Sequence, residues 1–529
     1  MAINLGIFKG ALPKIDPRLL PDENAQLATN CRFDSGSIEA LNAPLLLSTT
    51  VPAYAKTLHK YVNGNTVAWL SWDKNVDVVG SQVINDKHGR VYLTGDGVPK
   101  FIPEELAVGS GNKHPKGTIP LGIPAPAHPP TLSSIAKSKE VDDVTDDETR
   151  FYVYTWVTEF GEESAPSPPS ASILVEKPTS WVTINLPALA VNDRRIQYRR
   201  IYRTATAGGT TEFFYVGEAL ATTTKYTDTV AAGSLGTTLA TLDHFPPPDD
   251  MQGLTGLANG VMIGFVGKTI YPSEPYLPYA YSPSNQLSVD YDIVGMAAVQ
   301  NGAIICTTGQ PYLLQGFTPD SFQLVKLESN APCVSALSIV DLGTVVVYAG
   351  HDGLYAVSSG EPQNITEKVM SSQQWRDFNP QSIRGFQYDG KYFAVSDAGC
   401  KVFDLRDPDV ITVDFDATAG FYDLESGELI YCNSSGVMYS FDRGLASDGF
   451  TWRSKEFRST PKSFSACKVH GRDLVVTLYK DGAVFHIDNH SSGERVFRLP
   501  PGIGSRWELN ITGQKLESVS VAGAVGDLM

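Results

Sequence analysis

A short glycine-punctuated pattern occurs six times between Gly260 and Gly482, and it constrains the fold more than any other feature of this sequence. In each copy a turn glycine precedes a run of β-branched and aromatic residues, and a second glycine turn follows. The leading glycines, at 260, 302, 343, 390, 427 and 471, are 42, 41, 47, 37 and 44 residues apart. Each copy is predicted to be a β-hairpin, and the spacing is that of four-stranded propeller blades.

Two hairpin-like units with the same texture lie far upstream of this series. One surrounds Asn63-Gly64 and the other surrounds His88-Gly89. A hairpin alone cannot bury its apolar face, so these units are expected to join the downstream copies in one body. The prediction is an all-β protein whose β-propeller-like body of about six to eight blades is built from N-terminal and C-terminal segments.

A segment of different texture separates these two parts. Residues 149–245 contain short alternating runs at roughly 10-residue intervals, which predict a small β-sandwich. Tyr152-x-Tyr154, Gly161-Glu-x-Ser-x-Pro-Ser167, the Tyr-Arg run from Tyr198 and Tyr226-x-Asp-Thr229 resemble a fibronectin type III module. That resemblance implies an immunoglobulin-like sandwich inserted into the propeller.

The predicted organisation follows the chain in five parts. They are an extended leader and first hairpin (1–45), N-terminal propeller strands (46–118), a proline-rich and acidic linker (119–148), the sandwich (149–245) and the propeller body (246–529).

Composition excludes several classes of protein. The formal net charge of −16 opposes a nucleic-acid binder that wraps its ligand, because phosphate contacts need clustered Lys and Arg. No apolar stretch is long enough to span a membrane, and the start lacks the pattern of an export signal. A protein made in a reducing cytoplasm is expected, so the sequons at Asn364, Asn433, Asn489 and Asn510 are interpreted as chance matches.

The six cysteines are widely spaced, with no Cys-x-x-Cys pair and no neighbouring histidine cluster. Several lie inside apolar strand runs, where cysteine usually serves as a small core residue. Metal chelation is therefore not predicted. The residues are Cys31, Cys306, Cys333, Cys400, Cys432 and Cys467.

Candidate catalytic groups are better explained as turns and loops. His351-Asp352 puts a base beside a carboxylate, but it occupies the turn position that Ser434-Ser435 occupies in another copy. Two acidic runs could offer oxygen ligands to Ca²⁺. They are Asp404–Asp409 with Asp414 and Asp416, and residues 142–148. Neither has EF-hand spacing, so solvated loops are favoured.

The tryptophans could form a carbohydrate platform, although most are expected to pack in the core. They are Trp69, Trp72, Trp156, Trp181, Trp375, Trp452 and Trp507. No nucleophile elbow, zinc-protease motif or phosphate loop occurs. The protein is predicted not to be an enzyme, with no catalytic, cofactor-binding or metal-binding residue.

Short motifs at both ends of the chain resemble tail proteins of short-tailed bacteriophages. In the leader they are Pro13-x-x-Asp-Pro-Arg-Leu-Leu-Pro21 and Ala25-x-x-Ala28-x-Asn30-x-x-Phe33-x-x-Gly36-x-Ile38-x-x-Leu41. Later ones are Leu121-Gly-Ile-Pro-Ala-Pro126, Trp452-Arg-Ser-Lys455-x-Phe457 and Val519-x-Val-Ala-Gly523. The family is the tail nozzle, also called the tail hub or tubular protein B. The Gly-Gly-x-Ser-Gln-Gln-Pro opening of some members is missing.

The resemblance implies a virion structural protein that assembles in the host cytoplasm. A homohexameric ring would lie below the portal and adaptor rings, carry tail fibres or spikes, and continue the channel for double-stranded DNA. It would retain the packaged genome and let it pass at infection without sequence-specific binding. Two alternatives remain open: a carbohydrate- or receptor-binding propeller adhesin, and a propeller enzyme that degrades polysaccharide.

Overall fold

The computed structural model describes residues 2–134, 148–175, 181–205, 212–445 and 447–528, which are mostly strands. The N-terminal strands are β1 (Ile3–Leu5), β2 (Leu27–Thr29), β3 (Cys31–Arg32), β4 (Ile38–Ala40), β5 (Leu45–Thr50), β6 (Thr57–Asn63), β7 (Thr66–Trp72), β8 (Asp77–Gly80), β9 (Val91–Thr94), β10 (Lys100–Ile102) and β11 (Ile119–Pro120). The next are β12 (Thr131–Ser134), β13 (Glu148–Arg150), β14 (Tyr152–Thr158), β15 (Ile173–Val175), β16 (Val182–Asn185), β17 (Ile196–Thr204), β18 (Phe213–Leu220) and β19 (Lys225–Asp228).

The remaining strands run to the C-terminal end. They are β20 (Gln252–Gly256), β21 (Met262–Val266), β22 (Thr269–Glu274), β23 (Leu277–Tyr281), β24 (Leu287–Ser288), β25 (Ile293–Val299), β26 (Gly302–Thr307), β27 (Tyr312–Gln315), β28 (Gln323–Lys326), β29 (Val340–Asp341), β30 (Val346–Ala349), β31 (Leu354–Val357), β32 (Gln363–Asn364), β33 (Arg384–Tyr388), β34 (Lys391–Ser396), β35 (Gly399–Phe403), β36 (Val410–Val413), β37 (Ala419–Asp423), β38 (Glu428–Cys432), β39 (Val437–Ser440), β40 (Phe450–Arg453), β41 (Phe457–Lys462), β42 (Ala466–Lys480), β43 (Ala483–Arg498) and β44 (Gly504–Ala522). Two short helices are α1 (Glu104–Ala107) and α2 (Ser372–Asp377).

Seven antiparallel strand groups, named blades I to VII, form the body. They are β6–β7 (I), β8–β11 (II), β20–β24 (III), β25–β28 (IV), β29–β32 (V), β33–β36 (VI) and β37–β39 with β5 (VII). Their first strands touch in the order β8, β20, β25, β29, β33, β37 and β6, and the residue before β8 returns the chain to β6. Between blades I and II the backbone N–H of Val76 donates to Thr57 Oγ1 at 3.0 Å. The predicted propeller-like fold is confirmed.

The first five glycine copies supply the central strands of blades III to VII. Their turns use backbone that glycine adopts readily, as at Asp389-Gly390, where φ is +50° and +68°. Two successive positive φ values match the type I′ turn, whose twist suits a tight hairpin. The sequence pattern therefore locates the hairpin formed by the second and third strands in each of these five blades.

Blade VII is completed by a strand from the other end of the chain. β5 pairs antiparallel with β39, with Leu45 opposite Ser440 and Leu46 opposite Tyr439. Because β5 runs directly into blade I, this pairing joins the last blade to the first. The expected contribution of N-terminal strands to the same body is thus part of the fold.

The inserted sandwich lies between β11 and β20. Its main sheets are β12–β16–β19 and β14–β17–β18, beside a small β13–β15 pair. Between them Trp156 and Ile201 are buried, and the buried Arg199 guanidinium stacks 4.7 Å from the Trp156 ring. The chain enters and leaves the insertion side by side, since a Cβ on Gly122 would lie 2.6 Å from Pro246 Cα. The acidic run 142–148 falls outside the described residues except for Glu148.

The sixth glycine copy forms a hairpin, β42–β43, but its leading glycine is not at a turn and the hairpin does not belong to a blade. Gly471 lies inside β42, a single strand of 15 residues, opposite Gly493 of β43 and Leu516 of β44. The chain reverses at the second glycine turn of the copy, Asp481-Gly482, and β43 pairs back along β42. The residues after 449 therefore add no four-stranded blade to the ring.

Instead these residues combine with the leader into what we call the base sheet, β1–β4 with β40–β44. One edge of β44 pairs with β42, and the other pairs in succession with β41, β40, β4 and β1. β2 lies between β40 and β36, where it pairs in parallel with β36 and so joins the base sheet to blade VI. The whole assembly is a sheet of 13 strands.

Candidate assembly surface

The leader and the C-terminal motifs, separated by more than 400 residues, meet in the base sheet. Ile3 lies opposite Val521, and Ala28 lies opposite Trp452. The fully buried Trp452 ring meets Phe8 edge-on at 5.2 Å, and its indole N–H donates to Lys9 O at 3.1 Å. Aromatic burial together with a satisfied indole N–H fixes the leader firmly against β40.

The proline-rich part of the leader is held in place by hydrogen bonds to its backbone carbonyl groups. Gln374 of α2 donates to Pro13 O at 2.8 Å, and the N–H of Glu456 donates to Pro17 O at 3.0 Å. Lys455 Nζ lies 2.9 Å from Asp22. The prediction of an extended leader is wrong for this stretch, which forms successive turns closed by hydrogen bonds from Ile15 to Leu12, from Leu19 to Asp16 and from Asn24 to Pro21.

The acidic run 404–409 holds the leader in place. Asp409 accepts the N–H of Gly10 at 2.6 Å, and any side chain at Gly10 would collide with this carboxyl at 2.7 Å. Burial raises the pKa of Asp409 to about 6. Nearby, Asn30 donates to Asp414 at 2.8 Å. Among the described residues no His, Cys, Asp or Glu group is arranged to hold a metal ion.

A cleft of about 330 Å³ separates the β3–β4 hairpin from blade VI. Its charges neutralise one another: Arg32 pairs with Asp442, and Lys391 Nζ lies 3.2 Å from Asp34. Because these groups are already paired across the cleft, they hold the hairpin tip on the blade. These two ion pairs therefore connect the leader to the propeller.

The outermost strand of the base sheet, β43, has an open edge. It spans 16 residues and, in the part of the chain that the structure describes, pairs only with β42. Val484, Ile487 and Val496 are exposed along it, Ile487 by 55%. Soluble proteins usually shorten or cover such edges, because free N–H and C=O groups recruit further strands. Sequence reasoning missed this surface, although the alternation from Val484 was visible.

The candidate catalytic pair and the cysteines differ in exposure. His351 and Asp352 are exposed in the turn between β30 and β31, where Asp352 accepts the Tyr355 hydroxyl at 2.7 Å. All six cysteines are buried free thiols. Burial raises the pKa of the thiols of Cys31 and Cys400, which disfavours the reactive thiolate.

The tryptophans divide into one exposed residue and six that are buried or half-buried. Trp375, Trp452 and Trp507 are fully buried, whereas Trp181 on the sandwich is 51% exposed. Trp69 meets Phe421 edge-on at 5.8 Å between blades. The tryptophans thus form no shared exposed platform among the described residues.

A turn of the sandwich at Phe160 packs on blade II, and Arg195 also pairs with Glu105 of α1. Phe160 meets Phe101 at 5.2 Å and His88 at 5.0 Å, both edge-on. Beneath it, Arg90 donates to Glu162 at 2.8 Å. Although this ion pair favours the carboxylate, burial raises the pKa of Glu162 to about 7. These partners are too far apart in the sequence for any local pattern to connect them.

Comparison with known proteins finds only distant structural similarity. No protein-family model and no curated protein matches the chain. BamB from Moraxella catarrhalis is 14% identical with a TM-score of 0.27, over 63% of this chain and 98% of that chain. The Pan2 WD40 domain of Neurospora crassa is 7% identical with a TM-score of 0.27, over 51% and 86%. The extracellular domain of a hybrid two component system from B. thetaiotaomicron is 9% identical with a TM-score of 0.28, over 80% of this chain but 43% of that chain. No helix among the described residues is long and apolar enough to cross a membrane.

Proposed function

We propose that this protein is a structural subunit of a phage tail nozzle, in which a homohexameric ring continues the DNA channel below the adaptor. The observation that carries the proposal is the convergence of the nozzle-like motifs. The leader motifs, the Trp452 motif and the Val519 motif build the base sheet, and the motif at Leu121 lies where the sandwich leaves the propeller. Motifs that are far apart in the sequence therefore lie at two places in the fold, the base sheet and the boundary between the sandwich and the propeller.

The base sheet also offers a means of assembly. A head-to-tail ring needs two different surfaces on each subunit, one of which receives the neighbour. The open edge of β43 would receive a strand or loop of the next subunit, since backbone pairing supplies affinity and the exposed Ile487 and Val496 supply buried area. The leader is less available for this role, because β1–β4 already pair within the chain.

Charge is compatible with a passage for DNA. A subunit with a formal net charge of −16 repels the phosphate backbone, so DNA would slide past it without being held. The sandwich, fixed on blade II, would project as the attachment point for a fibre or spike. In this function the protein carries out no bond chemistry.

Negative-stain imaging of the purified protein with its adaptor ring tests the proposal. We expect closed rings at micromolar concentration, and only monomers under these conditions would refute the nozzle function. Ile487→Lys should abolish or weaken the rings by placing a charge at the edge of β43. Val62→Lys, at an exposed position of blade I, is the matched control. Rings that tolerate Ile487→Lys would place the subunit contact elsewhere.

A further inference from the structure

One face of the propeller carries an uncharged groove across blades III, IV and V. In an antiparallel blade, the turn between strands one and two and the turn between strands three and four emerge on the same face. The groove widens to about 690 Å³ between blades IV and V and continues as a smaller depression of about 170 Å³ between blades III and IV. Gln300 and Asn301 line both parts, so the two adjoin at the turn between β25 and β26. The larger part is in the usual size range of ligand sites.

The lining contains no charged side chain, although the chain as a whole is strongly acidic. On blade VI the equivalent turn contributes Asp389 and Lys391 to the ion-paired cleft. In the groove, amides and hydroxyls replace them. The polar side chains are those of Asn259, Gln300, Asn301, Gln315, Thr344, Ser358 and Ser359.

Three of these side chains are available to a ligand. Gln300, Asn301 and Gln315 are exposed, and their side chains make no hydrogen bond to any residue that the structure describes. The backbone beneath them is tightly packed, since a Cβ on Gly302 would lie 1.8 Å from Leu314 O. Free amides on a rigid turn can bind a ligand without the cost of ordering the backbone.

An aromatic ring stands at the narrow end of the groove. Phe317 is 79% exposed, although phenylalanine normally packs in the core. Its carbonyl accepts the Asn259 amide at 2.8 Å, and the turn after it is closed by a reciprocal pair of bonds between Thr318 and Ser321. The ring is thus displayed from a fixed loop beside unbonded amides.

We propose that this groove binds a neutral oligosaccharide. Each sugar hydroxyl both donates and accepts hydrogen bonds, and the amides of Gln300 and Asn301 do the same through separate atoms. The C–H face of a pyranose packs by dispersion on an aromatic ring such as Phe317. Phosphorylated, sulfated or nucleic-acid ligands are disfavoured, because no Lys or Arg lines the groove. This site is independent of the proposed ring function.

The test uses the full-length protein and an array of neutral hexasaccharides of maltose, cellulose and chitin type, with oligogalacturonate as the anionic probe. We expect binding to at least one neutral probe and none to the anionic one. Phe317→Ala and Asn301→Ala should each weaken the affinity about tenfold or more, which calorimetry measures.

Trp181→Ala removes an exposed aromatic on the sandwich and is the matched control, so its affinity should match that of the wild type. Absence of binding to every neutral probe, preference for the anionic probe, or loss of binding in Trp181→Ala alone would each overturn the proposal. Rings of Phe317→Ala should look normal by imaging, so failure of this site is distinguishable from failure of the nozzle function.

Discussion

At the scale of single residues, the least ordinary environment is that of Glu162. Its carboxyl is buried at the joint of the sandwich and blade II, where it meets the half-buried Arg90 at 2.8 Å. Burial penalises the charged form more than the guanidinium favours it, so the pKa of Glu162 rises from 4.5 to about 7. The joint therefore contains a group that titrates near neutral pH.

Glu162 should make the stability of the protein fall as the pH rises from about 5 to about 7. In the folded protein this carboxyl retains its proton to about pH 7, whereas in the unfolded chain it loses the proton near 4.5. Between these two pKa values the folded state binds more protons than the unfolded chain. The stabilisation from Glu162 is therefore complete below pH 4.5 and is lost as the pH rises through about 7.

Urea unfolding at several pH values checks this, and Glu162→Gln should remove the Glu162 part of the pH dependence. Glu328→Gln, at an exposed position after β28, should keep the wild-type dependence. An unchanged pH slope in Glu162→Gln would contradict the assignment.

At the scale of elements, β44 organises the C-terminal half of the protein. Its 19 residues pair with one long strand on one edge and with four short strands on the other, two of them from the leader. A strand of this length would otherwise leave most of one edge unpaired. The leader is therefore a structural part of the base sheet, in which β1 and β4 cover the last third of β44.

Removal of residues 1–6 should destabilise the protein markedly. β1 buries Ile3 and Leu5 against the base sheet, both 4% exposed, and each buried aliphatic side chain contributes about 1.5–3 kcal/mol. We expect a loss of about 3–6 kcal/mol in the free energy of unfolding, measured in urea. Ile7→Ser, two residues further on at an exposed position, should change it little. Equal stability of the shortened and full-length chains would contradict the role given to β1.

At the scale of the whole molecule, the ring depends on segments from both sides of the insertion. Blades I and II and strand β5 come from the N-terminal side, and the other strands come from beyond residue 251. The insertion, by contrast, leaves and rejoins the ring at one place, where Gly122 contacts Pro246. Its own core is separate from those of the blades.

Two deletions should have opposite effects. Deleting residues 1–118 removes the closing strand and two blades, so the rest should lose its cooperative unfolding transition. Excising 131–245 joins nearby ends and should leave the ring folded. Urea unfolding followed by tryptophan fluorescence compares them, because Trp375 and Trp452 remain in both chains. A cooperative transition in the first variant, or none in the second, would contradict the architecture.

Local patterns predicted the hairpins well and their partners poorly. Glycine turns and alternation located the central strands of five blades, because both signals depend on neighbouring residues. At Gly471 the glycine signal was misleading, because this residue lies within β42 and the hairpin turns only at Asp481-Gly482. The free edge of β43 and the groove at Phe317 were also missed, since each depends on which strands and turns become neighbours.

By itself, the sequence determined the all-β class, the blade spacing and the position of the insertion, because turn chemistry and side-chain alternation are encoded within a few residues. The tertiary structure decided that β5 closes blade VII and that the leader joins β44 in the base sheet. These pairings connect residues hundreds of positions apart, as with Leu46 and Tyr439. Their choice depends on burial and edge complementarity in the complete fold, which no local pattern contains.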